Sequence, residues 1–359
     1  MIINIAVALL LLSILVFVHE LGHFLSAKLM RIRVEEFGLG LPPRWIGRKI
    51  GETIYSLNKL PIGGFVRLYG EDEPDPTHIK KDRDRAFFAI SPWKRAVILV
   101  AGVSMNVIFA WFAYTVIFTL GDFVPVERVH IEEINSGSPA EAKGLQKGDI
   151  IKEIRTLPDN ESFPILAPEK LSEVARANLG KDIVLVIERS GESQEIVVAP
   201  RTDPPPNEGP LGVVISNLEE KKLPLIEASV QAAQYIGELV KLIVEGMGML
   251  IAKLIARESV RNDVAGPVEV VRQTALAVEY GFRAVLRLAA FISVNLAIIN
   301  ILPIPALDGG RLLFVVIEGI TGKRINQRWE SYLHQVGMLL LLFLILLITV
   351  NDILRLVTG

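Results

Sequence analysis

Cysteine is absent from the 359-residue chain. That excludes disulfides, iron–sulfur clusters, thiolate zinc sites and a cysteine nucleophile. Histidine is scarce, at five residues, so any metal must be held by a few imidazoles together with carboxylates. Neither sign of charge dominates: 38 Lys+Arg against 40 Asp+Glu leave a net −2. The basic excess of a nucleic-acid-binding surface is missing, and no nucleic-acid partner is expected.

What the chain has in quantity is apolar side chains. They make up 51% of the residues, and the mean hydropathy is +0.42, high for a soluble protein. The uncharged runs Met1–Val18, Ala96–Leu120, Leu288–Leu307 and Ser331–Asn351 approach or exceed the roughly 20 residues that a spanning helix needs. The first run reads as an uncleaved anchor. Its start, MIIN, carries no basic residue and no small-residue cleavage site follows it, so it lacks the parts of a signal peptide.

Basic residues crowd Met30–Arg95 and recur at Lys323, Arg324 and Arg328. Basic flanks favour the cytoplasm. Both termini and the long middle segment are then expected outside, in a multi-pass membrane protein. Within the first loop, residues 57–71 read as β structure, punctuated by Gly63 and Gly64 and followed by Phe65, Val66, Leu68 and Tyr69. Glu71–Asp84 reads as an acidic loop.

Short apolar runs between turn signals mark a soluble domain at 125–202, with a helix near Pro168–Asn178 and a Pro-rich boundary at 202–210. Leu225–Arg257 reads as amphipathic, suiting either a helix on the membrane surface or a packed helix of the soluble domain. The expected fold is an α-helical polytopic membrane protein with about four transmembrane helices, a membrane-associated β hairpin or sheet, and an inserted α+β domain. Its expected segments are a first transmembrane helix at 1–30, a cytoplasmic loop with β structure at 31–94 and a second helix at 95–121. The soluble domain at 125–202 and a linker with amphipathic helices at 203–282 follow. A third transmembrane segment at 283–320 and a fourth helix at 331–352 complete the chain.

The sharpest motif is His19-Glu20-Leu21-Gly22-His23. Helical residues four apart share a face, so two imidazoles can meet one Zn²⁺ while Glu20 takes a proton from water. Chance would produce this pattern about 0.005 times in a chain of this composition. The motif continues an apolar run, where ionisable groups are costly and usually functional. A catalytic zinc site wants a third protein ligand. No His follows at metzincin spacing. Glu35 and Glu36 follow basic residues of the aqueous loop. Asp308, in NLAIINILPIPALDGGR (295–311), ends another uncharged run and is the better candidate. Pro303 and Pro305 break the helix there, and Gly309 and Gly310 allow a tight turn. Asn295 and Asn300 in that run suit either contact between helices or hydrogen bonds to an unwound substrate. His78, His130 and His334 have no metal-like partners and are expected at surfaces or interfaces.

HELGH in the first span, AGVSMN (101–106) in the second and NxxPxPxLDGG (300–310) in the third resemble, in order, the site-2 protease family of intramembrane zinc metalloproteases. GSPAEAKGLQKGDIIKEI (137–154) resembles the core of a PDZ domain. The nearest group is the bacterial regulator-of-sigma-E protease type, some members of which carry two PDZ domains where this chain has one. The resemblance implies Zn²⁺ held by His19, His23 and Asp308, with Glu20 as general base. It implies substrate contact by Asn295, Asn300 and the strand Gly63–Tyr69, including Gly64, Phe65 and Val66. It also implies single-span membrane protein substrates within the lipid bilayer, such as anti-sigma factors or remnant signal peptides. The PDZ-like domain would contact peptides or substrate domains outside. Two rival functions are a membrane metal transporter, which leaves Glu20 unexplained, and a non-catalytic PDZ scaffold, which leaves the buried ionisable groups unexplained.

Overall fold

The structure, a computed structural model, describes residues 2–71, 82–205, 208–260, 264–323 and 327–358. Most of the expected acidic loop at 71–84, with His78, lies outside the described residues. In chain order the elements are α1 (Ile2–Leu29), β1 (Val34–Ile50), β2 (Thr53–Leu68), α2 (Pro92–Leu120), β3 (Asp122–Ile134), α3 (Pro139–Ala142), β4 (Ile150–Thr156), β5 (Ser162–Pro164), α4 (Pro168–Ala177), β6 (Ile183–Arg189), β7 (Glu192–Val198), β8 (Val213–Lys221), α5 (Leu225–Ile255), α6 (Pro267–Tyr280), α7 (Phe282–Ile301), α8 (Asp308–Thr321) and α9 (Gln327–Thr358). They form two compact units, Met1–Ile117 with Pro224–Gly359, and Phe118–Leu223.

In the first unit, four helices are long and apolar enough to cross a membrane: Asn4–Leu29, Pro92–Leu120, Phe282–Ile301 and Arg328–Leu354. A spanning helix satisfies its backbone internally, which lipid demands. The expected third segment, 283–320, is two helices rather than one. Helix α7 stops at Ile301, and Asp308 opens α8. The prolines at 303 and 305 supply no N–H to continue the ladder, and Ala306 takes φ 80°. A Cβ on Gly309 would lie 2.1 Å from Leu302 O, and one on Gly310 would lie 2.4 Å from Ile304 O. Glycine at both positions therefore lets the break fold back onto the start of α8.

β1 and β2 pair antiparallel, and both bend. The first part of β1 sits between two parts of β2: Phe37 faces both Tyr55 and Val66, and Gly38 faces both Ser56 and Phe65. Its outer part, Arg44–Ile50, pairs only with Thr53–Asn58. Gly64–Leu68 consequently forms one edge of the sheet. Leu41, Trp45, Ile46, Ile50 and Leu60 are exposed on it, an apolar patch of the kind that marks an interaction surface. At the inner end Ile32, Val34, Leu68, Phe87, Ile98 and Leu99 form a buried cluster.

In the second unit the strands run in the order β7-β6-β4-β3-β8, with β5 on β4. Ile131, Ile151, Ile154, Ile183 and Leu185 are fully buried in its core, each stabilising the fold by roughly 1.5–3 kcal/mol. Helix α4 adds Leu171, Val174 and Ala175 from one face. The unit is wider than the expected 125–202. The Pro-rich stretch is a connection inside it, because β8 returns to pair with β3 through Ile131↔Ile215 and Phe123↔Glu220. The expected 203–282 linker therefore contains a strand.

Helix α5 belongs to the first unit. Trp111 Nε1 donates to Ser229 O at 2.9 Å, and Tyr114 stacks edge-on against Tyr235 with centroids 4.8 Å apart. That packing on α2 replaces the alternative of a helix within the soluble domain. At the other end of the unit, Asp352 of α9 accepts the Glu269 N–H at 3.2 Å, satisfying one of the open donors at the start of α6.

Candidate metal centre

The two histidines of α1 point at the start of α8. His19 Nε2 lies 2.8 Å from Asp308 Oδ2, His23 Nε2 lies 3.2 Å from the same oxygen, and the two Nε2 atoms are 3.2 Å apart. Both imidazoles are buried. Among the described residues this is the one group of three or more His, Asp or Glu that could hold a metal, with all three donor atoms within 4.8 Å of one another. Zinc takes imidazole nitrogen and carboxylate oxygen at about 2.0–2.2 Å, so tetrahedral donors sit about 3.3 Å apart. The spacing fits.

Two further features fit the same ion. A Cβ on Gly102 of α2 would come 2.4 Å from His23 Nε2 and 2.9 Å from His19 Cε1, so glycine there keeps the space beside both imidazoles clear. A Cβ on Gly22 would meet Ala101 O at 2.3 Å, and the α1 and α2 backbones touch at the motif. His23 Nδ1 lies 2.8 Å from Ile98 O. A carbonyl only accepts, so Nδ1 carries the proton and the Nε2 lone pair is free toward Asp308.

Glu20 points away from this trio toward the sheet. Its Oε2 accepts the Val66 N–H at 3.1 Å. About two turns earlier on α1, Ser13 donates to Pro61 O at 3.0 Å and accepts the Gly63 N–H at 3.1 Å. A Cβ on Gly64 would come within 3.9 Å of Glu20 Cγ. The strand edge that contains Gly63, Gly64, Phe65 and Val66 is thus laid along the motif face of α1. Glu36, weighed above as a ligand, is engaged elsewhere: Arg44 donates to it at 2.9 and 2.5 Å. Burial works against its charge, yet the hydrogen bonds from Arg44 hold its carboxyl below the ordinary range.

Asn295 donates to Phe291 O one turn back on α7, at 2.9 Å. Asn300 lies in the last turn of α7, ahead of the break. His130 is half-buried on β3, 2.9 Å from Glu132. His334, expected at a surface or an interface, is half-buried: its Nδ1 accepts the Ala306 N–H at 3.0 Å, so α9 braces the turn two residues before Asp308. A cavity of about 480 Å³ opens there, lined by Glu71, Ala306, Asp308, Arg311, Glu330 and His334. Arg311 and Glu71 pair across it. Sequence reasoning missed His334, Asn106 and Gly102. The only signal for the last two was their place in AGVSMN; His334 gave none, because it is 28 residues from its partner.

Imidazoles and a carboxylate from separate helices, with a glutamate outside the set beside them and four apolar spans around, suit a membrane-embedded metallopeptidase. The sequence profile of peptidase family M50 matches residues 7–344, and the chain belongs to that family. The chain is similar to a Synechocystis protein provisionally named a zinc metalloprotease, with 34% identity over 351 residues, covering 96% of this chain and 93% of the relative. It is 33% identical over 360 residues to a Campylobacter jejuni protein of like name, covering 97% and 92%. It is 30% identical over 429 residues to the zinc metalloprotease RasP of Oceanobacillus iheyensis, covering 97% and 98%. The chain is a zinc metalloendopeptidase of the membrane.

Proposed function

We propose that His19, His23 and Asp308 hold the zinc and that Glu20 is the general base for cleaving peptide bonds inside the spanning segments of single-span membrane proteins. The observation that carries this is the meeting of donors 289 residues apart at 2.8 Å while the motif glutamate stays out of the set. When bound, zinc supplies Lewis-acid polarisation and makes a nearby water more acidic. The protein's own groups do the rest. Glu20 Oε2 is held by the Val66 N–H, which leaves Oε1 to take the proton from the attacking water and return it to the leaving amine.

Substrate must be extended to be cut, and a spanning helix has no free backbone groups. Apart from the Val66 N–H, which holds Glu20, the Gly64–Leu68 edge would offer replacement hydrogen bonds through strand addition, without reading side chains. Asn300, and Asn295 once its amide leaves Phe291 O, would pair further backbone groups of the opened substrate. The exposed Trp45, Ile46 and Ile50 would seat the sheet in the inner leaflet. Anti-sigma factors and remnant signal peptides are the substrate class. The unit 118–223 would act as a PDZ-like domain outside the membrane and screen substrates that keep bulky outer domains. The loop after α1 would face the cytoplasm of a bacterial inner-membrane protein. The fourfold use of His19, Glu20, His23 and Asp308 disfavours a transporter, where a general base beside the metal has no task.

The test is zinc content of purified variants in a buffered free-zinc series. His23→Ala and Asp308→Ala should each bind zinc at least about 10-fold more weakly than the native chain. Unchanged binding by Asp308→Ala would move the third ligand elsewhere.

A further inference from the structure

Asn106 is fully buried on α2. Its Nδ2 lies 3.3 Å from His19 Nδ1, while its Oδ1 is buried with no hydrogen-bond partner. Its backbone carbonyl accepts from Ser293 at 2.9 Å, which fixes the residue against α7. A buried amide with one end on a zinc-motif histidine and the other end unpaired is costly unless it has a second arrangement.

The proton count supplies one. With Nε2 of His19 ligating, the ring proton sits on Nδ1, and a buried Nδ1–H needs an acceptor. The Asn106 amide is the group at that place, and a half-turn about χ2 presents its Oδ1 to Nδ1 with almost no change in shape. His23 needs no such device, because Ile98 O already fixes its tautomer.

We propose that Asn106 is the positioning residue for His19, accepting from Nδ1–H through its amide oxygen so that Nε2 faces the zinc. The inference rests on His19 being a ligand. An apolar residue at this depth would leave that N–H without a partner.

The experiment measures zinc affinity by chelator competition, together with the visible spectrum of the Co²⁺-loaded protein, in native, His19→Ala, Asn106→Leu and Asn106→Asp chains. Asn106→Leu should weaken zinc binding by about 10–100-fold, the usual effect of losing such a partner, and should alter the cobalt spectrum. Asn106→Asp keeps an acceptor and should bind at least as tightly as native. As a measurement independent of variant folding, ¹⁵N NMR of the histidine-labelled, zinc-loaded native chain should show His19 protonated at Nδ1, and a proton elsewhere would overturn the role. Native affinity in Asn106→Leu, or equal loss in Leu and Asp variants, would overturn the positioning role. Unchanged affinity in His19→Ala would overturn the ligand assignment on which it rests, and the two failures are separate readouts.

Discussion

A single methyl group at Gly102 tests whether the imidazole pair is held in a space shaped for it. A Cβ there would lie 2.4 Å from His23 Nε2 and 2.6 Å from His23 Cε1, about 1 Å inside ordinary contact distance. α2 already touches the motif helix beside this point, where a Cβ on Gly22 would meet Ala101 O at 2.3 Å. Either the imidazoles shift or the two helices part, and His23 is tied across that seam to Ile98 O, so both routes move its Nε2. Zinc ligands keep their distances to within about 0.2 Å, so a shift of several tenths of an ångström falls on metal binding before it falls on the fold. Overpacking costs about 1–3 kcal/mol, and if that penalty is confined to the loaded state, zinc affinity drops by about 5–150-fold. The assay is zinc content against buffered free zinc, with cleavage of a single-span substrate in parallel. Gly246→Ala on α5 is the control, because nothing lies within 4 Å of its Cβ position. It should leave both readouts unchanged and stabilise the helix by up to about 1 kcal/mol. Native zinc affinity in Gly102→Ala would refute the reasoning.

Further outcomes follow from other contacts. His334→Leu removes the acceptor of the Ala306 N–H, a loss of about 1–3 kcal/mol, and should slow cleavage about tenfold or more while His334→Asn restores part of it; a native rate in the leucine variant would remove α9 from the site's support. Glu52, paired with Lys28 at 3.1 Å and Arg85 at 2.7 Å, has its carboxyl pulled from 4.5 to about 2, chiefly by the Arg85 hydrogen bond. A depressed carboxyl stabilises the fold above its unfolded value and loses that effect as pH falls. The difference in unfolding temperature between native and Glu52→Gln should thus be full above pH 4.5 and shrink toward pH 2; a difference that grows on acidification would contradict the pairing. For orientation, single cysteines at the exposed positions Ser193 and Asp84 exploit the cysteine-free background. An impermeant thiol reagent added outside should label the first and not the second, and the opposite pattern would invert the topology.

The four spans were legible because an uncharged run of this length has few other uses, and HELGH was legible because its spacing is local. Asp308 was legible as a candidate since it joins a proline break to a glycine pair in an apolar context. What escaped is non-local. Nothing in the spacing of residues 202–210 reveals that β8 returns beyond them to β3, so a Pro-rich connection read as a boundary. The break in the third segment was legible from Pro303 and Pro305, but Ala306 adopting φ 80° and glycines packing under carbonyls depend on three-dimensional closure. The contact of the Val66 N–H with Glu20, 46 residues away, is likewise outside any local pattern. Asn106 and His334 bond to partners 87 and 28 residues away, and no periodicity encodes such pairs.

The central claim is that Glu20 moves a proton and does not hold the metal. Its most direct test is paired measurement on purified Glu20→Gln: zinc per chain, and fragments of a single-span substrate by mass spectrometry. Native zinc content is expected, because the proposed donors are His19, His23 and Asp308, together with cleavage reduced by at least about 10²–10⁴-fold. Undiminished cleavage, or loss of zinc alongside activity, would contradict it.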